Sequence, residues 1–510
     1  MKRKSRIVIT DEVNCHIVNL TNDHTGYFYE EYGKFAPNYI WNPKYKLGSW
    51  DGKIRYFHKT GKTYVNLLED IIPRLIGLGY EIDIDDQRES PAVFPDDIDD
   101  TFFSKRGVVN PDNGEPWIIR DYQVEMVNAM IRSGGGVGIL GTGGGKTSIC
   151  AALALLYEEA ADFKSIIIVP DKNLTEQTVE EYQFFNVDVG QYSGDKKDIN
   201  HKHVVSTWQA LKNNPKLIQE FDMIIVDECH GLKGQVLTKL LNEYGKNIAY
   251  RFGVTGTLPK AETDAMSVKI AVGTVQFTKQ AHELIEEDYL ATLNIDIYPL
   301  ESNFHDKYKE YKEDFQISAT APKMYTYKQF KTNFFPDYTS EKQYNQNDPD
   351  RLNWIAKHIE KKKDAKKGNV LCLVDGVKFG RKLAGMVDGA IFISGSDKMK
   401  ARKEVYDLFK ENDNLVVIAT VQIASTGLNI KRIYNMMFID LGKSFIRVVQ
   451  TIGRGLRKAV DKDHVDVSDI CSDLKYGRKH MLERIKVYKE AKYKFNKYPI
   501  DLSTNYTVYE

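Results

Sequence analysis

Apolar residues are distributed along this chain in two different ways. From about residue 106 onward they form short, unbroken, β-branched runs that end in loops: "GVGIL", "SIIIVP", "HVVST", "DMIIVDE" and "YRFGVTG". Helical spacing fills the intervals. Strands apolar on both faces and separated by helices predict a parallel sheet covered on both sides. After an irregular stretch the pattern resumes with "NVLCLVD", "AIFISG", "LVVIAT" and "NMMFIDL", so two α/β units follow one another. The first 80 residues differ. "GSWDGKIRYFHKTGKTYVNLL" alternates apolar and polar positions around Asp51-Gly52 and Thr60-Gly61, which predicts a hairpin or three-stranded sheet. "LEDIIPRLIGLGYEI" has helical spacing despite Pro73, which makes this region a small α+β unit. The acidic "EIDIDDQRESPAVFPDDIDD", Glu81 to Asp100, is expected to be an exposed connector, since it offers little apolar surface to offset its ordering entropy. The expected domains are 1–100 (N-terminal accessory unit and acidic linker), 101–285 (first α/β unit), 286–345 (a connector rich in Lys and Tyr) and 346–510 (second α/β unit with a C-terminal helix).

Composition changes this picture little. A chain of 510 residues exceeds one ordinary core. Its 71 basic and 71 acidic residues balance, so a nucleic-acid partner has to be met by local basic surfaces. Five scattered cysteines without metal-like spacing suggest reduced, buried thiols. No signal peptide and no membrane-spanning stretch is visible, and a cytoplasmic location is expected.

The chemistry begins at "GILGTGGGKTSI". A strand, a glycine turn and a helix follow in order, so that backbone N–H groups of Gly141, Thr142, Gly143, Gly144 and Gly145 can converge on phosphate oxygens at a helix N-terminus. Lys146 is placed to neutralise the β- and γ-phosphates of ATP, and the Thr147 hydroxyl to ligate Mg²⁺. The position of the usual first glycine is held by Leu140. "TGKT" at Thr60 to Thr63 has no helix after it and reads as a turn. "FDMIIVDECHGL" then delivers Asp227 and Glu228 to the carboxyl end of a strand, where α/β sheets bind ligands. Asp227 suits the metal, and Glu228 the attacking water. In the second unit, "RVVQTIGRGLRK" sets Gln450, Gly453, Arg454 and Arg457 on one helical face. An arginine brought from a second domain stabilises charge on the transferring γ-phosphoryl and ties domain closure to hydrolysis.

In this order the motifs resemble those of superfamily 2 helicases and translocases, over roughly residues 115 to 475. "IIRDYQ" resembles the adenine-reading motif, with Gln123 in the glutamine position. "IIIVPDKNLTEQ" and "VSTWQAL" resemble strand-contacting motifs, "DECH" motif II, "VTGTLP" motif III, "ATVQIASTGLNI" motif V and "QTIGRGLR" motif VI. Motif III reads Thr255-Gly256-Thr257 in place of Ser/Thr-Ala-Thr. The resemblance implies two tandem RecA-like parallel-sheet domains with a small N-terminal α+β accessory domain. With "KLGSWDGKIRYF", the pattern is most similar to the phage recombination helicases and their XPB-like and RecG-like relatives. That implies an ATP- and Mg²⁺-dependent DNA motor in an infected bacterial host, acting as a monomer on Holliday junctions, displacement loops, RNA–DNA hybrids and stalled forks in recombination and repair.

By motif position the resemblance implies that Pro170 to Gln177, Thr207, Gln209 and Thr420 face the strand, with Gly427 and Asn429 nearer the nucleotide. Loop-capping hydrogen bonds are the plainer reading of Thr207 and Gln209. Contacts would go to the sugar-phosphate backbone, so single-stranded and branched duplex DNA are the expected partners, and an RNA helicase or the motor of another translocating machine is the alternative. Near the N-terminal hairpin, Lys44, Lys46, Trp50, Lys53, Arg55 and Tyr56 offer a surface for duplex arms. Lysines interleaved with aromatics in residues 301 to 345 suit either base stacking or packing against a neighbouring domain. In the tail, Met481, Leu482, Ile485 and Tyr488 form the predicted apolar stripe of a docked helix.

Overall fold

The computed structural model divides the chain into two compact units, Met1–Gly141 with Gly145–Gln280, and Ala281–Glu510 with Thr142–Gly144. It describes residues 3–502 other than 90–91, 112, 234, 303, 318–323, 366–367, 396, 398–403, 406–407, 409–411, 426–432 and 443–463.

The first unit opens with a mixed sheet. Strands β1 (Arg3–Ile9) and β2 (Asn14–Val18) pair antiparallel; β3 (Gly33–Phe35) and β4 (Lys53–Arg55) form a separate ribbon; β5 (Lys62–Tyr64) pairs with β2. Alternate residues of β1 and β2 point inward, so that Ile7, Ile9, Cys15 and Ile17 are buried beneath the helices Asn22–Glu31 and Leu68–Gly77. The sequence reading fails at "EIDIDD". These residues are not a connector but strand β6 (Tyr80–Asp86), parallel to β1 at the sheet edge. Their acids face outward and meet basic residues from outside the strand. Arg6 lies 2.8 Å from Asp85 and 3.7 Å from Asp83, and Arg88 lies 2.7 Å from Asp86.

The module does not close its own core. Ile270, buried and distant in sequence, joins Phe28, Phe57, Leu67, Ile71 and Leu75, and Met266 packs beside it. Both belong to the helix Glu262–Val272 of the α/β part. Polar contacts fasten the same helix: Tyr56 Oη donates to the Thr263 carbonyl at 3.2 Å and Asn66 Nδ2 to the Ile270 carbonyl at 3.1 Å, and Lys269 lies 2.5 Å from Asp70.

The α/β part is an eight-stranded sheet of β7 (Gly135–Leu140), β8 (Ser165–Val169), β9 (Val189–Ser193), β10 (Lys196–Lys197), β11 (His203–Thr207), β12 (Met223–Asp227), β13 (Tyr250–Thr255) and β14 (Val275–Lys279). Their order is β10-β9-β11-β8-β12-β13-β7-β14, parallel except at β10. Arg251, in β13, is buried and donates to the carbonyls of Ile248, Ala271, Leu241 and Gly245, so that no acid is needed beside it.

The second unit is a parallel sheet of β15 (Thr292–Glu301), β16 (Asn369–Val374), β17 (Ile391–Ile393), β18 (Val416–Thr420), β19 (Ile433–Ile439), β20 (His464–Ser472), β21 (Phe495–Lys497) and β22 (Ile500–Asp501). It runs β17-β18-β16-β19-β20-β15-β21, with β22 also on β15. In the connector, Phe304, Phe330 and Phe335 pack with Leu474 into a small core, and Tyr308, Tyr311, Tyr327, Phe334 and Tyr344 lean on it. Lys307 sits over three of these rings, those of Phe304, Phe334 and Tyr344. Among the described residues, packing against one another accounts for most of these rings, while Tyr325 is 43% exposed.

The tail helix, Lys475–Glu490, departs from the predicted stripe. Met481 and Tyr488 are buried, but Leu482 is 49% exposed and Arg484 is buried instead. Arg484 grips Asp469 of β20 through two bonds of 2.8 Å, and Tyr488 Oη donates to the same carboxylate at 3.0 Å. All five cysteines are free and buried. Among the described residues no helix is long and apolar enough to cross a membrane.

Truncating the shared helix should undo the N-terminal module first. Ile270→Ala is expected to cost about 2–5 kcal/mol in a urea titration, with proteolysis reaching residues 3–86 before the α/β sheet. Loss of protection spread evenly over unit 1 would contradict this.

Candidate active site

The phosphate loop follows β7 and ends at Gly145, the N-cap of the helix Lys146–Ala161. Gly143 and Gly145 have φ of +90° and +85°, a left-handed backbone that L side chains rarely adopt. At Gly145 a second reason for glycine applies: a Cβ there would lie 2.3 Å from Gln123 Nε2. Gln123 is buried. Its Oε1 accepts from Arg120 N at 3.1 Å, so the amide is oriented with its nitrogen toward the loop. Gly141 N donates to the Lys279 carbonyl at 2.9 Å and ties the start of the loop to β14. Gly135–Leu140 is buried almost throughout, and so is the first half of the helix after Thr147, so the loop is held from both ends.

Opposite Lys146 stands the end of β12. Lys146 Nζ lies 3.4 Å from Glu228 Oε1. Glu228 itself has φ +50°, unusual for a residue with a side chain, and its N–H donates to Asp227 Oδ1 at 2.8 Å. The turn gives two adjacent carboxylates different surroundings. Burial, and then the neighbouring Glu228 charge, push Asp227 up to about 6. Burial would also raise Glu228, but Lys146 and His230 outweigh it and hold the carboxyl well below the usual range. His230 Nδ1 is 3.2 Å from Glu228 Oε2 and 3.0 Å from Thr255 Oγ1. Thr255 Oγ1 is in turn 3.4 Å from Glu228 Oε2 and 3.0 Å from the Thr257 carbonyl. A chain of polar groups therefore runs from the loop lysine to the Thr255-Gly256-Thr257 triplet. Sequence position alone does not single out His230, which stands fourth in "DECH" and second in the helical turn Cys229–Lys233. The packing is close here too: a Cβ at Gly253 would meet Cys229 Sγ at 3.0 Å.

Such a corner can do definite chemistry. An ionised glutamate held by a lysine, an imidazole and a hydroxyl is placed to orient a water and accept its proton. Asp227, at the end of β12, and Thr147, in the first turn of the helix after the loop, are the oxygens that could hold a divalent cation here.

The other predicted residues are more dispersed. Thr207 caps the helix Trp208–Asn213, with Ala210 N donating to its hydroxyl at 3.3 Å, while Gln209 is exposed. Gln177 donates to Glu181 at 2.7 Å, and Pro170 directly follows β8. Thr420, at the end of β18, is buried, and its hydroxyl has no partner among the described residues. Lys53 and Arg55, expected to face a nucleic acid, already have acidic neighbours. Glu30 pairs with both, at 3.0 and 3.1 Å, and Asp51 also holds Arg55; Arg55 further lies over the Tyr29 ring. Gly427, Asn429, Gln450, Gly453, Arg454 and Arg457 lie outside the described residues.

Comparison with known proteins agrees with this architecture. Residues 117–260 match the family "Type III restriction enzyme, res subunit", and residues 350–459 match "Helicase conserved C-terminal domain". The chain is a superfamily 2 helicase, an enzyme that hydrolyses ATP and acts on nucleic acid, built on two RecA-like domains. It is similar to the ATP-dependent DNA helicase uvsW of Enterobacteria phage T4, 26% identical over 90% of this chain and 92% of that protein. It is also similar to the DNA 3'-5' translocase XPB2 of Sulfurisphaera tokodaii, 26% identical over 35% of this chain and 39% of the relative. In fold it resembles S. cerevisiae Dbp5 bound to RNA and ADP BeF3, with a TM-score of 0.50, 14% identity, and coverage of 78% of this chain and 93% of that one.

Two substitutions separate loop from relay. Gly145→Ala meets both the positive φ and Gln123, and should weaken binding of a fluorescent ATP analogue by about tenfold or more, since αL strain alone costs ~1–2 kcal/mol. Thr255→Val keeps the shape but removes the hydroxyl. It should leave nucleotide affinity within about twofold and lower steady-state turnover by roughly a hundredfold, the lower end of what a misplaced general base loses.

Proposed function

We propose that the chain is an ATP-driven DNA motor that remodels branched duplexes, namely Holliday junctions, displacement loops, R-loops and stalled forks, and that it works as a monomer. The observation that carries this reading is that the similarity to the phage T4 DNA helicase covers 90% of this chain, more than the motor alone spans, so that it reaches into the N-terminal module. A motor core alone tracks a backbone; a module fused to its first sheet gives it a second grip on a duplex arm.

In this reading the N–H groups of Gly141 to Gly145 and the Lys146 ammonium bind the β- and γ-phosphates, while Gln123 reads the adenine and senses the loop through Gly145. Thr147 and Asp227 hold Mg²⁺, which when bound spreads the phosphate charge. Glu228 orients the attacking water and takes its proton, steadied by His230 and Thr255. Gly427 and Asn429 lie near the nucleotide. Gln450, Arg454 and Arg457 come from the second unit and stabilise the γ-phosphoryl in the transition state. Pro170, Gln177, Gln209 and Thr420 line the strand path, with Thr207 holding its loop. Lys53 and Arg55 support the duplex-facing surface of the module rather than touching DNA, because their charges are met by Glu30 and Asp51.

The test is ATPase activity measured with no polynucleotide, single-stranded DNA, duplex, a four-way junction and RNA in parallel. DNA should stimulate most, and the junction should be separated into two duplexes. Lys146→Ala should abolish hydrolysis and separation while leaving DNA binding in place. Stimulation by RNA alone, or by no polynucleotide, contradicts the proposal.

A further inference from the structure

Between β3 and β4 the N-terminal module sends out an excursion, Ala36–Gly52, that is better ordered than its exposure suggests. Phe35 stacks on Tyr39 with ring centroids 4.5 Å apart, and Tyr39 meets Tyr45 edge-on at 4.8 Å. Asn42 caps the turn Pro43–Lys46, accepting from Lys44 N at 3.0 Å. Ser49 Oγ donates to the Lys44 carbonyl at 3.0 Å, and Trp50 Nε1 to the Lys53 carbonyl at 2.9 Å. At Gly52, φ is +82° and a Cβ would strike the Tyr39 ring at 2.5 Å, so the turn closes tightly on the stack. This is a compact surface loop stiffened by its own side chains.

The residues that are not struts are what matter. Trp41 is 69% exposed, Leu47 82% and Ile40 49%, three large apolar side chains that the module's packing does not use. Lys46 Nζ sits 5.2 Å from the Trp41 ring centroid, and Lys44 is exposed beside it. Within the loop the charged residues are Lys44, Lys46 and one acid, Asp51, which lies 2.5 Å from Arg55, so that the two lysines carry the excess charge. An exposed apolar cluster marks a contact surface, and the one-sided charge around it selects a polyanion. A flat indole with an aliphatic neighbour and flanking ammonium groups is suited to stack on a base while the lysines meet phosphates. Inside a continuous duplex both base faces are covered, so such a loop finds its partner only where stacking is broken, at a fork or junction.

We infer that the Ala36–Gly52 loop is a branch-point element, in which Trp41, backed by Leu47, stacks on the base pair exposed where a duplex opens, and Lys44 and Lys46 hold the adjoining phosphates. This rests on the reading of the chain as a DNA motor and adds to it the element that recognises the branch. The loop is fixed to the α/β part, not tethered. Lys34, at its root, lies 3.7 Å from Glu262, and Tyr56, just beyond β4, bonds to Thr263, both on the helix that follows the Thr255-Gly256-Thr257 triplet.

The experiment uses the full chain and a DNA fork carrying 2-aminopurine beside the branch, with the same label within a continuous duplex as control. Wild-type protein should change the fluorescence of the branch label only. Trp41→Ala should lose that change and bind the fork roughly tenfold or more weakly, the usual loss for one base–aromatic stack. Its melting temperature and its ATPase stimulation by single-stranded DNA should stay within error and about twofold of wild type. Trp41→Phe should restore most of the binding. Lys44→Ala with Lys46→Ala should lower the slope of log affinity against log salt by about 2. Unchanged fork affinity and unchanged label response in Trp41→Ala, with stimulation intact, overturn this inference alone. So does a Trp41→Ala defect confined to self-association in sedimentation or to binding of anionic lipid vesicles. If wild-type ATPase ignores DNA altogether, the motor reading falls, and this inference falls with it.

Discussion

One ammonium and two adjacent carboxylates share the corner between the phosphate loop and the end of β12, and much of the first unit answers to the problem they pose. Lys146 alone cannot satisfy both acids. Its charge goes to Glu228, which is also held by His230, leaving Asp227 the weaker acid of the pair. Holding the two apart takes an unusual backbone, the positive φ at Glu228, which persists only because the surrounding sheet over-determines it. Cys229 against Gly253 and the carbonyl cage around Arg251 supply that rigidity on the strand next door. Asymmetry between two neighbouring acids is what lets one suit a cation and the other a water.

The motor part of the fold is legible from the sequence because its strands are fully buried, and a parallel sheet with both faces covered leaves uninterrupted apolar runs as its mark. The loop and the acids are equally plain, since glycines with positive φ and carboxylates at a strand end admit few substitutes. What escapes are pairings made across long sequence distances. The acidic β6 reads as solvated until Arg6 and Arg88 are seen beside it. Arg484 interrupts an apolar stripe because its partner, Asp469, waits on another strand. Lys53 and Arg55 look like a basic patch because Glu30, which neutralises them, lies on a preceding helix. Charge read along a chain overstates what is free to bind. His230 escapes differently, since one imidazole after two acids announces nothing until Thr255 closes the triangle.

The same distinction sorts the aromatic residues. The connector's tyrosines and phenylalanines find one another and close a core, whereas the loop of the N-terminal module is braced by Phe35, Tyr39, Tyr45 and Trp50 and turns a fifth ring, Trp41, outward. Composition alone gives both regions the same description, aromatic and rich in lysine. Their difference is one of exposure, and exposure is decided by how many neighbours each ring has within its own segment.

The helix Glu262–Val272 has a further consequence, for biosynthesis. A chain made from its N-terminus usually folds its first domain first. Here the first module stays without Ile270 and Met266 until every strand from β7 to β13 has been synthesised. Its sheet and its two helices can form early, but the patch that Ile270 and Met266 cover stays open until the later helix arrives. Folding of the module is therefore a late event, and it takes place on a sheet that already exists. The accessory part of this enzyme is made before the sheet it rests on and completed after it, so a chain truncated anywhere before residue 272 yields neither part complete.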